Sequence, residues 1–195
     1  MTNLIREPLI EARSRYFDNA GWKNYEPRID DIVITTYPKC GTTWTQRIVG
    51  MLVFQSDAPF PVQETSPWPD FRLPPPGAML ELAESQDHRR FLKSHVPYDA
   101  LPVYEGVKFI HVARDGRDAA MSFFNHKLNY TDDVIEHMSQ ITMADPKFGD
   151  TAVRIEADPA LHFHDWVSGE ADHMGDPACG FWYMEKSYWN GTMRR

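Results

Sequence analysis

The stretch Asp31–Leu52, DIVITTYPKCGTTWTQRIVGML, constrains the fold more than any other in this 195-residue chain. A β-branched run, Ile32–Thr36, stops at Tyr37-Pro38; a compact Lys-Cys-Gly-Thr-Thr follows, and then a helical pattern. The run does not alternate with charge, which predicts a buried strand over Asp31–Tyr37. Over Thr43–Phe54, Trp44, Ile48, Met51 and Leu52 share one face, widened by Val49 and Val53, which predicts an amphipathic helix. A strand that enters a helix through small residues offers an anion site. The N–H groups of the first turn are unpaired within the helix, and its dipole favours negative charge. Gly41 lets the backbone approach closely, Thr42 and Thr43 add hydroxyl donors, and Lys39 adds a full charge. Taken alone, Gly-Thr-Thr reads more readily as a capped helix with a turn glycine.

The rest of the chain supplies the order of elements. Leu4–Asn19 is expected to be a helix, from the spacing of Leu4, Ile5, Leu9, Ala12 and Tyr16. Residues 56–79, SDAPFPVQETSPWPDFRLPPPGAM, hold seven of the 15 prolines and are expected to form no regular element. A loop of that length in a compact domain is usually functional or mobile, and Trp68, Phe71 and Leu73 make it the candidate wall or lid of an acceptor site. A short helix is predicted at Ala78–Glu84, a short strand within Arg89–Pro97, and a second buried strand over Val107–Arg114. A helix over Asp115–Tyr130 follows, with Met121, Phe123 and Phe124 as core, and another begins with Thr131 or Asp132 as its N-cap. DPALHFHDWVSGEAD and GFWYMEKSYWNGTMRR both read as amphipathic helices. His162-Phe163-His164 lacks a third metal ligand and is read as a solvated helix face, so no metal site is expected. Strand–loop–helix, strand, strand–helix predicts an α/β domain with a mainly parallel central sheet flanked by helices. One domain spanning 1–195 is expected.

The net charge of −8 and pI of about 5.4 argue against nucleic acid as the main partner. A small anionic ligand needs only a local positive pocket. No run approaches the roughly 18 apolar residues of a membrane helix. The N-terminus carries scattered charges and no apolar core, so no secretory signal is expected. With two distant cysteines, Cys40 and Cys179, a cytoplasmic chain with reduced thiols is expected.

Three known loops fail on the letters at Lys39–Thr43. A Walker A loop needs Gly-Lys-[Ser/Thr], but here the lysine precedes the glycine. A dinucleotide loop needs a second glycine. A cysteine-phosphatase loop needs arginine where Gln46 stands, and Arg47 comes one position too late. By contrast, TYPKCGTTW (Thr36–Trp44) resembles the 5′-phosphosulfate loop, T-Y-P-K-S-G-T-T-W, of the cytosolic-type sulfotransferases that use 3′-phosphoadenosine 5′-phosphosulfate. VARDGRDAAMSFFNH (Val112–His126) resembles that family's 3′-phosphate motif, in which an arginine is followed eight positions on by a serine, here Arg114 and Ser122. FLKSHVP (Phe91–Pro97) resembles the K-T-H-L-P segment that carries the catalytic histidine. The three stand in the family's order.

The resemblance implies a P-loop-like three-layer fold. It also implies sulfuryl transfer to a hydroxyl or amine of a small or lipid-like acceptor, with adenosine 3′,5′-bisphosphate as product and no metal. His95 would be the general base, although a histidine at a strand end is on general grounds more often only a hydrogen-bonding residue. Lys39 would stabilise the leaving phosphate and Lys93 would lie near the sulfuryl group. Cys40, Gly41, Thr42 and Thr43 would line the 5′-phosphate, Trp44 would stack on adenine, and Arg114 and Ser122 would hold the 3′-phosphate. Cys40 replaces the family's serine, and at a helix N-terminus beside Lys39 its thiol is expected to have a lowered pKa. It should then alkylate faster than Cys179 and be protected by cofactor. Asp115 replaces a common asparagine and sets a negative charge beside Arg114. The family's proteins continue beyond the helix at Phe181–Trp189 with a strand, helices and a basic Gly-rich segment, so an incomplete C-terminal part of the fold is expected. Two alternatives stay open on the letters: a P-loop-type kinase, and a truncated nucleotide-binding or interaction module without turnover.

Overall fold

The computed structural model describes residues 2–148, 155–168 and 175–192. In chain order the regular elements are β1 (Leu4–Arg6), β2 (Ile32–Thr36), α1 (Thr42–Phe54), α2 (Val62–Thr65), α3 (Ala78–Glu84) and β3 (Phe91–Ser94). They continue with β4 (Val103–Tyr104), β5 (Lys108–Val112), α4 (Gly116–Leu128), α5 (Asp132–Met143), α6 (Pro159–Ser168) and α7 (Phe181–Thr192). Strand β2 lies between β3 and β5, parallel to both, with Ile34 opposite Lys93 on one side and Ile110 on the other. Every residue of β2 is buried, as a central parallel strand covered on both faces requires.

Alternation along these strands makes three layers. Ile32, Ile34, Phe91 and Ile110 point to one side, where they pack with Val49, Val53 and Phe54 of α1. Val33, Leu92 and Phe109 point to the other, into the larger core with Ala119 and Phe123 of α4, Trp166 of α6, and Phe181, Met184 and Tyr188 of α7. Phe123 and Phe124 are buried as expected, whereas Met121 is only half-buried. Among the described residues no helix is long and apolar enough to cross a membrane, and no group of three or more His, Cys, Asp and Glu is arranged to hold a metal ion.

Four expectations are corrected. The helix over Leu4–Asn19 is absent: β1 pairs antiparallel with β4, and an extended segment leads to a 3-10 turn at Asn19–Trp22. Pro8 explains this, because it has no N–H and disfavours a helical conformation at Glu7. The backbone finds distant partners instead, with Leu9 N–H donating to the Asp99 carbonyl at 2.7 Å. The face of α1 read as apolar points outward, Trp44 being 78% and Leu52 65% exposed, while Gln46, Val49 and Gly50 face inward. A methyl group on Gly50 would sit 2.1 Å from the Phe60 ring, so the bare backbone there lets the loop close over the helix. That loop is not wholly irregular, because Val62–Thr65 form the single turn α2. Finally, His162 is buried, bonded to Lys127 Nζ at 3.2 Å and to the Ala120 carbonyl at 3.1 Å, so only His164 is on a solvated face. The Pro159–Ser168 helix covers part of its predicted stretch; residues 169–172 and 193–195 lie outside the described residues.

Candidate active site

The turn between β2 and α1 is built by two left-handed residues, Lys39 (φ 70°) and Gly41 (φ 101°). Only glycine adopts that conformation without strain, so the lysine holds it at a cost of about 1 kcal/mol or more. Gly41 occupies the N-cap of α1 and makes no side-chain capping bond. The first-turn N–H groups and the positive end of the helix therefore open into a cavity of about 1130 Å³. Thr43 and the outward Trp44 line this cavity from α1, and Arg114 and Ser122 line it from the β5–α4 side. Arg114 reaches the Lys39 carbonyl at 3.3 Å, which ties the two phosphate-motif segments together. Asp115 does not compete for that arginine. Its carboxylate caps α4 through Arg117 N–H at 2.9 Å and pairs with the Arg117 side chain at 3.0 Å. These bonds hold its pKa down to about 2.

The same cavity contains Lys93 and His95 from the end of β3. His95 is buried, and its Nδ1 lies 2.6 Å from the Thr36 carbonyl oxygen. That oxygen only accepts, so Nδ1 carries the proton and Nε2 is left as the basic nitrogen. Burial, reinforced by the positive charge of Lys93 and then Lys39, holds the imidazole well below its ordinary pKa. It is neutral at pH 7. The Thr36 hydroxyl bonds to the Thr42 hydroxyl at 2.6 Å, so the base and the anion loop are joined through one residue of β2. Lys93 places its Nζ 3.9 Å from the centre of the Trp68 ring, and burial lowers its pKa to about 8. Trp68 and Phe71 stack in parallel 4.1 Å apart, and with Leu73, Met79 and Met138 they form an apolar side of the cavity.

Cys40 departs from expectation. The residue is 3% exposed, and burial, joined by the negative charge of Glu185, pushes the thiol up to about 12, against the smaller favourable effect of Arg114. A helix N-terminus lowers a thiol pKa only where the thiolate can be solvated or paired. Cys40 and Cys179 are both buried and neither is in a disulfide. In the native protein each is therefore expected to react with a disulfide reagent at least about tenfold slower than in the unfolded chain. Rapid labelling of native Cys40, suppressed by nucleotide, would contradict this.

Asp70 was not anticipated. It is a buried carboxylate that accepts from Trp22 Nε1 at 2.9 Å, from Trp68 Nε1 at 2.8 Å and from the His95 backbone N–H at 3.0 Å. The only sequence signal is an acidic residue amid Trp-Pro-Asp-Phe, where a solvated turn carboxylate is the simpler reading. Tyr16 and Tyr130, which also line the cavity, lie outside every motif, and His126 ends the Val112–His126 stretch with no role assigned to it.

Residues 29–175 match the model of the sulfotransferase domain family. The chain belongs to the sulfotransferase family. It is 34% identical over 183 residues to a glycolipid sulfotransferase of Mycobacterium bovis, an alignment that covers 90% of this chain and 55% of that one. It is 32% identical over 133 residues to rat sulfotransferase 1A1, covering 62% of this chain and 46% of that protein. The crystal structure of mouse sulfotransferase SULT7A1 complexed with PAP superposes with a TM-score of 0.57 at 18% identity, over 90% of this chain and 52% of that one. The P-loop-like α/β fold of this chain is thereby shared with that solved structure. The chain spans about half the length of the relatives it matches.

Proposed function

We propose that this chain carries the donor site and the base of a sulfotransferase that moves a sulfuryl group from 3′-phosphoadenosine 5′-phosphosulfate to a hydroxyl, or an amine, of a lipid-like acceptor. The observation that carries the reading is the meeting, in one cavity, of the uncapped α1 N-terminus, Lys39, Arg114 with Ser122, and a neutral His95 whose Nδ1 is already bonded. The apolar side formed by Trp68, Phe71, Leu73 and Met79 favours a lipid-like acceptor, and the relative from Mycobacterium bovis is named for glycolipids. A cytoplasmic location accords with two cysteines that form no disulfide.

The co-substrate supplies the sulfuryl group and leaves as adenosine 3′,5′-bisphosphate. His95 Nε2 accepts the acceptor's hydroxyl proton while the oxygen–sulfur bond forms. The bond from sulfur to the 5′-phosphate oxygen breaks, and its electron pair stays on the phosphate, where Lys39 and the α1 N–H groups meet the growing charge. Burial and the two lysines disfavour His95 protonation. An anionic co-substrate offsets the lysines and makes the imidazole a stronger base when it is needed.

Titration with adenosine 3′,5′-bisphosphate, against ATP and 5′-AMP, tests the reading. Binding that requires the 3′-phosphate supports it; a preference for ATP, or no binding by the folded chain, sinks it. The acid fall in turnover is expected to lie below pH 6.5, because burial holds the His95 pKa under its ordinary value, and turnover is expected to fall above about 8 as Lys93 loses its charge. In the Lys93→Arg variant the alkaline fall should move beyond the measured range, since arginine stays charged. An unchanged alkaline fall would remove Lys93 as its source.

A further inference from the structure

We propose that Asp70 is a positioning residue whose ionised carboxylate, acting through the Trp68 indole, keeps Lys93 charged and His95 in place; this rests on the sulfotransferase reading above. The bonding pattern favours the ionised form. Oδ1 accepts from Trp22 Nε1, and Oδ2 accepts from both Trp68 Nε1 and the His95 N–H. The Ser94 hydroxyl bonds to the same carboxyl. The indole and backbone groups can only donate, and an ionised carboxylate, which has only acceptor sites, satisfies all of them. Burial is the larger influence and leaves the pKa above the ordinary carboxylate value, while these bonds oppose it.

Trp68 makes the connection. One edge donates to Asp70, one face carries Lys93 Nζ at 3.9 Å, and the ring meets His95 edge-on at 4.8 Å. Donating its N–H to a carboxylate leaves the indole richer in electrons, which strengthens its hold on a cation. The negative charge of Asp70 also favours charged Lys93, opposing burial and the nearby Lys39. Asp70 further ties three segments together, because its carbonyl accepts the Asp18 N–H at 2.8 Å while its carboxylate holds Trp22. A purely structural tie would explain those bonds but would leave the Lys93 titration unchanged on replacement.

The test is the titration of Lys93 in wild type and in Asp70→Asn. It is followed by NMR of ¹³C-methylated lysines, with the Lys93 signal assigned by its loss in Lys93→Arg. Wild-type Lys93 should titrate near 8. In folded Asp70→Asn the midpoint should drop by about one pH unit. An unchanged midpoint overturns the proposal. Should that variant fail to fold by circular dichroism, the ¹³Cγ signal of Asp70 in the wild-type protein decides: an ionised carboxylate at pH 7 supports the proposal and a neutral acid overturns it. Failure of the sulfotransferase reading would appear separately, as no binding of adenosine 3′,5′-bisphosphate by the wild type, and would leave both NMR measurements readable.

Discussion

His95→Ala is expected to lower sulfuryl transfer by about 10²–10⁴-fold, the usual contribution of a positioned general base, while the affinity for adenosine 3′,5′-bisphosphate is retained. The asymmetry follows from where the side chain sits. Its Nδ1 is bonded to the Thr36 carbonyl and its ring packs edge-on against Trp68, whereas Arg114, Ser122, Thr43 and Trp44, the cavity-lining groups proposed to hold the nucleotide, belong to other elements. Removing the imidazole takes away the proton acceptor and leaves Lys39 and the α1 N-terminus intact. Some loss of stability is expected too, because the buried Thr36 carbonyl loses a side-chain partner. Activity should therefore be read at a temperature where circular dichroism shows the variant folded. Turnover within a few-fold of wild type would exclude His95 as the base. A parallel loss of nucleotide affinity would mean that its role is to shape the loop through Thr36 and Thr42.

The largest expected effect on stability lies away from the site. Arg90 and Asp31 are completely buried and form a two-pronged ion pair, Nε to Oδ1 at 2.9 Å and Nη2 to Oδ2. Asp31 also accepts from the Tyr25 hydroxyl at 2.6 Å and from Arg28 N–H at 2.8 Å, while Arg90 donates to the Glu26 carbonyl at 2.7 Å. The pair anchors the segment before β2 to the start of β3. Arg90→Met should lower the unfolding free energy by about 3–5 kcal/mol, because Asp31 would remain buried with its charge uncompensated. Replacing both partners, Asp31→Leu with Arg90→Met, should cost clearly less than the two single losses added together. Urea denaturation of the four proteins measures this coupling. Additive losses would mean that each residue acts through its separate hydrogen bonds and that the ion pair contributes nothing of its own.

Neither Arg90 nor Asp31 stood out in the sequence, and the reason is general. Charged residues at the two ends of short strands look solvated until the register brings Ile32 opposite Phe91 and the preceding residues together. The same holds for Asp70, whose donors come from positions 22, 68, 94 and 95. What local chemistry decides was legible. A β-branched run makes β2, Gly41 with its positive φ ends the turn, and the Lys39–Trp44, Lys93–His95 and Arg114–Ser122 motifs each sit at a junction of strand and helix or loop. Their order along the chain predicted one parallel sheet, and parallel strands bring all three junctions to the same end of it.

Tertiary structure decided whatever depends on which neighbour arrives. The apolar stripe Trp44–Ile48–Leu52 looked like a core face, but the sheet and Phe60 meet α1 on its Gly50 side and leave the stripe outward. Cys40 had the setting of a reactive thiol, and burial reversed the sign of its pKa. For His95 the sequence determined that an imidazole stands at the end of β3. Only the carbonyl of Thr36, 59 residues earlier in the chain, decides which of its nitrogens is free to take a proton. Spacing and residue type specify bonds within a turn or two of chain, whereas burial, tautomer and charge state are set by atoms that the fold alone brings together.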